Sequence, residues 1–213
     1  MTLNNKVYEA FGIPDEQFVR SEGVPMTKNE IRVLSLAKLQ LTPAATVYDI
    51  GAGSGSVAIE IKRMVPDGKV IAIEKNPEAI KVLKENSKKF KVAIDVIEGL
   101  APDALEGLPV ADRIFIGGSG GNLEQILRVC DSKLTTGGRI VLNSVTLNTA
   151  TDAYKILEEL GYEIEVTQVA ISYIVSRGNA QMWQARNPVT IIAAAKTDNT
   201  KTDYTKEGAA NER

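Results

Sequence analysis

The chain has 213 residues, a formal net charge of -2 and no histidine, which fits one sizeable domain and, with no basic cluster, counts against nucleic acid as a partner. Without histidine there is no Ser-His-Asp or Cys-His catalysis, no imidazole acid–base chemistry and no His-ligated metal; a single cysteine, Cys130, excludes a disulfide framework and a cysteine zinc site, so no metal is expected. No run of about 18 apolar residues and no signal peptide is evident, so a cytoplasmic protein with no membrane partner is expected.

Residues 1–45 read as an N-terminal helical segment packing over the ligand site. Thr27, followed three positions later by Glu30, has the form of a capping box, and Ile31, Val33, Leu34, Leu36 and Ala37 supply a helical apolar face. Lys28 and Arg32 fall one turn apart. They read either as a solvated face or as paired cations for an anionic substrate.

Thr46-Val-Tyr-Asp49-Ile50 reads as a strand, Gly51-Ala52-Gly53-Ser54-Gly55 as a turn, and Val57 to Ile61 as the start of a helix. Such a turn lets backbone approach a ligand that any Cβ would push away. A dinucleotide fingerprint, G-x-G-x-x-G, needs a sixth-position glycine; here that position is Ser56, which disfavours a nicotinamide enzyme. The next strand, 69–74, ends in Glu74. Its carboxylate can accept from both hydroxyls of a ribose; the plainer alternative is a solvated acid before the helix at Asn76-Pro77.

A helix over about 77–89, strands at 92–97 and 112–117, a helix over about 121–133, a strand at 139–145 and a helix over about 148–160 stopped by Gly161 follow. This alternation predicts a mostly parallel sheet covered on both faces, with ligands at the carboxyl edges of its strands. Gly51–Gly55, Glu74, Leu100-Ala101 and Gly117–Asn122 all fall on that edge. Gly117-Gly118-Ser119-Gly120-Gly121 holds four glycines in five positions, which suits either an anion and a large planar ligand or a flexible connection. Cys130 sits in an apolar helical pattern and reads as buried filler. Two long strands, 162–176 and 188–196, are expected as an antiparallel pair. The loop between them carries Met182 and Trp183, read as packing back on the domain in preference to an oligomer or substrate contact. Residues 197–213 read as a mobile polar tail.

Asp49-Ile-Gly-Ala-Gly-Ser-Gly55 together with Glu74 resembles the first motif and ribose acid of class I methyltransferases that use S-adenosylmethionine (SAM). Adding Gly12-Ile-Pro-Asp15, Pro25-Met-Thr-Lys28, Gly117–Gly121 and Asn187-Pro-Val189, residues 8–196 resemble the decarboxylating precorrin-6B carbon-15 methyltransferases of cobalamin biosynthesis. The resemblance implies a Rossmann-like α/β fold over residues 46–196: a mostly parallel seven-stranded sheet with an antiparallel C-terminal pair and helices on both faces. It implies SAM contacts at Thr27, Asp49, Gly51, Ala52, Gly53, Ser54, Gly55, Glu74 and, through its backbone beside the adenine, Ala101. It also implies a homotetramer and a precorrin or cobalt-precorrin tetrapyrrole as substrate. That substrate carries many carboxylates, for which Lys28, Arg32, Arg177, Arg186 and the backbone of Gly118, Ser119, Gly120 and Gly121 are candidate anchors. No side chain is nominated as catalytic acid or base, because the conjugated ring can take up the electrons that decarboxylation releases. The competing readings are a methyltransferase of the same fold acting on transfer RNA or protein carboxyls, and a SAM-binding protein without turnover.

Overall fold

The structure, a computed structural model, describes residues 12–197. All but the first residue of the expected tail lies outside the described residues. In chain order the elements are α1 (Asn29–Leu39), β1 (Thr46–Ile50), α2 (Ser56–Met64), β2 (Lys69–Glu74), α3 (Pro77–Phe90), β3 (Asp95–Glu98), β4 (Ala111–Ile116), α4 (Leu123–Lys133), β5 (Leu134–Ser144), α5 (Leu147–Glu159), β6 (Glu163–Val169), β7 (Ser172–Arg177), β8 (Ala180–Ala185) and β9 (Val189–Ala195). Seven strands form one sheet in the order β3-β2-β1-β4-β5-β9-β6. Only β9 runs against the others; it pairs antiparallel with both β5 and β6. Among the described residues no helix is long and apolar enough to cross a membrane.

Alternating side chains of the central strands fill two cores, as the two-residue period of a strand requires. Tyr48, Ile50, Ile71, Ile73, Ile114 and Ile116 pack with Ile126, Leu127 and Cys130 of α4 and with Ala153 and Leu157 of α5. On the other face Val47, Val70, Ala72 and Phe115 pack with Ile31, Leu36 and Leu39 of α1, Val57, Ala58 and Ile61 of α2, and Leu83 of α3. Covered on both sides, the sheet leaves its ends as the place for a ligand.

Two elements differ from expectation. β3 begins at Asp95 instead of Val92. α3 runs on to Phe90 and closes through left-handed Lys91, with the Val92 N–H donating to the Ser87 carbonyl, so residues 91–94 are spent on a helix stop. The long strand at 162–176 breaks after Val169, and its second half leaves the sheet as β7, paired antiparallel with β8. The expected loop is therefore a hairpin, turning at Gly178 with φ 61° and Asn179. Ile174 opposes Trp183 on one face and Val175 opposes Met182 on the other. Trp183 does not pack back on the domain; it is 73% exposed.

The N-terminal segment is fastened by Arg32, which is buried and so is not the substrate cation expected of it. Its Nε donates to Glu60 Oε1 at 2.6 Å, Nη1 to Asp15 Oδ1 at 3.2 Å and to the Thr27 carbonyl at 2.6 Å, and Nη2 to the Ile13 carbonyl. The guanidinium carbon lies 4.9 Å from the centre of the Phe18 ring. Glu60 also accepts from the N–H groups of Gly12 at 2.8 Å and Ile13 at 3.0 Å, so the buried charges are satisfied on both sides. The capping box at Thr27 does not form. α1 begins at Asn29, whose N–H donates to Asp15 Oδ1 at 3.0 Å, and Thr27 turns its carbonyl to Arg32 instead. A carboxylate delivered from the preceding loop caps the helix more strongly than a hydroxyl.

Replacing Arg32 with leucine strands Glu60 as an unpaired buried carboxylate, for which a loss of about 3–5 kcal/mol is expected. Urea denaturation of R32L measures it, and a loss below about 1 kcal/mol would show the pair to be dispensable.

Candidate active site

β1, β2 and β4 end side by side, and their carboxyl ends are laced together by backbone. The Ile50 carbonyl accepts from the N–H groups of Gly117 at 2.9 Å and Gly118 at 3.4 Å, while the Ile73 carbonyl accepts from Gly51 at 2.9 Å and Ala52 at 3.2 Å. Gly51, at φ 72°, passes so close to the next strand end that an added Cβ would stand 2.7 Å from the Gly118 carbonyl oxygen. At Gly53 an added Cβ would stand 2.6 Å from the Pro25 carbonyl oxygen. Both sites demand glycine twice over, by conformation and by space.

All five amides of the turn donate inside the protein. Beyond those of Gly51 and Ala52, Gly53 donates to Glu74 Oε2 at 2.8 Å, Ser54 to the Pro25 carbonyl at 3.0 Å, and Gly55 to the Ala52 carbonyl at 2.9 Å. The turn is thus a closed elbow with no N–H left for a phosphate. Beside it lies a cleft of about 300 Å³ lined by Gly23, Pro25, Gly51, Gly53, Glu74, Lys75, Asn76, Leu100, Ala101 and Gly118–Gly120.

Glu74 reaches this cleft from the end of β2, half-buried. Besides the Gly53 bond, its Oε1 accepts from the N–H groups of Lys75 and Asn76, each at 2.9 Å. An ionised carboxylate offers about four acceptor sites, so three backbone bonds orient it and leave capacity for a ligand hydroxyl. Asp49 lies behind the turn instead of on the cleft wall. It is 1% exposed, and neither carboxylate oxygen meets a donor in full hydrogen-bond geometry among the described residues. Burial pushes its carboxyl up to about 7; the Ala58 amide in the first turn of α2 opposes the rise, and the Glu74 charge adds to it. Ser54 Oγ is likewise buried without a partner.

The structure brings together Gly51, Gly53, Glu74, Ala101, Gly118, Ser119 and Gly120 on the cleft wall. Thr27, Ala52, Ser54 and Gly55 are not on it. Gly55 serves packing, since an added Cβ would meet Leu83 Cγ at 2.6 Å. Gly118 and Ser119 also line a second cleft, of about 170 Å³, with Asn143, Ser144, Val145, Thr146 and Thr149 at the ends of β4 and β5. Of the cations expected as anchors, none lines the glycine cleft. Lys28 pairs with Asp15 at 3.4 Å, and Arg186 lies over the Tyr173 ring at 5.7 Å. Both face a separate, largely acidic cleft with Glu16 and Glu30; Arg177 is exposed at the far end of the hairpin. Cys130 is core filler, its thiol pushed up to about 12 by burial and by Asp131. Sequence reasoning missed Lys75, Asn76 and Gly23 on the wall; the first two follow Glu74 directly and carried that positional signal.

Residues 17–196 match the family model described as a precorrin methyltransferase domain. A Sulfurisphaera tokodaii protein named probable cobalt-precorrin-6B C(15)-methyltransferase (decarboxylating) is 44% identical over 188 residues, covering 87% of this chain and 97% of the relative. The Salmonella typhimurium protein named cobalt-precorrin-6B C(15)-methyltransferase (decarboxylating) is 38% identical over 187 residues, covering 87% of this chain and 96% of its own. A solved structure from Geobacter metallireducens, titled precorrin-6y C5,15-methyltransferase, superposes with a TM-score of 0.81 at 42% identity, covering 88% of this chain and 98% of that one.

The buried Asp49 makes stability depend on pH. Folded, its carboxyl holds a proton up to about pH 7, whereas unfolded it ionises near its ordinary 3.8. Between those values the folded form binds more protons, so this group's contribution falls as pH rises and levels off above the folded pKa. D49N lacks that slope. Its stability relative to the parent should rise from about pH 4.5 to about pH 7.5, by at most about 1.4 kcal/mol per unit. Urea midpoints of both proteins measure this, and a pH-independent difference would rule it out.

Proposed function

This chain belongs to the precorrin methyltransferase family, and from that premise we propose that it transfers a methyl group from SAM to a bridging carbon of a precorrin-type tetrapyrrole, with loss of carbon dioxide from an acetate side chain. The observation that carries the reading is the closed elbow. A pyrophosphate needs free amides at such a turn, and here all five are taken. A ligand with a cationic sulfonium needs no such donors and is favoured beside Glu74.

The residues present fit SAM. Gly51 and Gly53 offer bare backbone to its amino-acid end, Glu74 retains acceptor capacity for its ribose, and Ala101 gives a wall for the adenine. SAM supplies a methyl group already activated for transfer. The chain's own part is alignment, which accounts for a large share of rate when two reactants are held in register. No cleft residue other than Glu74 and Lys75 is ionisable, and the tetrapyrrole's conjugation takes up the electron pair left when the carboxylate departs. Gly118 and Ser119 stand between the two clefts, and a flat ring reaching over them meets little side-chain bulk. Residues 12–45 act as a cover, with Gly23 and Pro25 at the cleft rim. We place the enzyme in the cytoplasm as a homotetramer. Supporting an assembly, the β7–β8 hairpin projects Ile174, Met182 and Trp183 into solvent, and a lone two-stranded hairpin is marginal in water.

Two outcomes are expected. SAM, and not NAD, should raise the melting temperature, with about 2.7 kcal/mol of stabilisation at a hundredfold excess over its Kd. Methyl-labelled SAM with precorrin-6B or cobalt-precorrin-6B should yield a labelled tetrapyrrole and an equal amount of carbon dioxide; NAD in place of SAM as the stabilising ligand would sink the reading. Separately, Trp183→Lys should lower the mass measured by light scattering on a sizing column, and an unchanged mass would remove the hairpin from the interface.

A further inference from the structure

One cation lines the glycine cleft among the described residues, and it is Lys75. Its place is built, because its own N–H and that of Asn76 are held on Glu74 Oε1, so the carboxylate that serves the cleft also anchors the base of the lysine. Its side chain is exposed and makes no ion pair or hydrogen bond among the described residues. Across the cleft mouth, a Cβ added at Gly120 would lie 3.6 Å from Lys75 Nζ and 3.0 Å from Leu100 Cδ1. The ammonium therefore stands over bare backbone beside a half-exposed leucine. Glycine at 120 keeps open the gap that a side chain would fill between the two.

An unpaired ammonium at the rim of an otherwise cation-free cleft, next to apolar surface, matches a ligand with a flat apolar body and carboxylates at its edge. We propose that Lys75 is a substrate-binding residue that takes a peripheral carboxylate of the tetrapyrrole, with the ring edge against Leu100 and Gly120. This rests on the methyltransferase reading above. The other carboxylate within reach is that of SAM, and the test separates the two.

Lys75→Gln, Lys75→Arg and, as a charge control on the exposed face of α3, Lys81→Gln are assayed with SAM and cobalt-precorrin-6B. K75Q should raise the KM for the tetrapyrrole about tenfold, K75R should recover most of that loss, and K81Q should match the parent. The SAM Kd by calorimetry and the melting temperature of K75Q should stay unchanged. Added salt should raise the parent's KM more than that of K75Q. A K75Q enzyme with the parent's KM overturns the assignment while leaving the methyltransferase reading intact, and so does a loss confined to SAM affinity. A parent enzyme that turns over no tetrapyrrole overturns both.

Discussion

The structure turns on a place where two backbones touch. Gly51 and Gly118 end neighbouring strands, and the separation between them admits no side chain at Gly51. Because the Ile50 carbonyl is shared between Gly117 and Gly118, and the Ile73 carbonyl between Gly51 and Ala52, the ends of β2, β1 and β4 are fixed relative to one another without any side chain taking part. That lacing sets the height of the elbow, brings the Gly53 N–H onto Glu74, and leaves the cleft as the volume between the elbow and the second glycine segment. Glycine is required there by contact and by positive φ together, which is more than either alone would demand.

Charge is divided between scaffold and site. Buried Arg32 and Glu60, with partly exposed Asp15, form a network that holds residues 12–32 against α2, and the Arg32 guanidinium is fully spent there. Buried pairs of this kind are weak evidence for net stability, yet removing one partner is costly, so the network specifies where the N-terminal segment lies. That placement puts the Pro25 carbonyl on the Ser54 N–H and gives the cleft its rim. The cleft itself keeps Glu74, a single lysine, and the buried Asp49 behind it.

What was legible beforehand was local. The elbow, Glu74 and the alternating strands each announce themselves within about ten residues, because turn conformation and strand period are short-range properties. Arg32 was misread since its partner Glu60 lies 28 positions away, and nothing near Arg32 signals that a carboxylate will be waiting. Thr27 lost its cap to Asp15 for the same reason: two acceptors competed, and the winner came from a separate loop. The hairpin was different, because its signal was present. Gly178-Asn179 between two apolar-bearing runs is a two-residue turn signature, overlooked because a long alternating stretch invites reading as one strand. Trp183 was assigned inward on the ordinary habit of large aromatic residues, a habit that takes no account of surfaces a partner could cover.

A site poor in acids, bases and metal ligands constrains the chemistry it can host. Among the described residues no cluster of histidine, cysteine, aspartate or glutamate is placed to hold a metal ion, and the one thiol is sealed in the core. A reaction that requires the protein to shuttle protons would be poorly served here. One whose donor is activated in advance, and whose acceptor carries its own electron sink, needs little beyond closeness and angle. On the proposed reading the paired clefts meet that need, since both are lined by Gly118 and Ser119, two of the smallest residues available. A larger residue at that boundary would hold donor and acceptor apart by the width of its side chain. On the reading proposed above, the second glycine segment serves methyl transfer through what it leaves out, and the first through what it holds still.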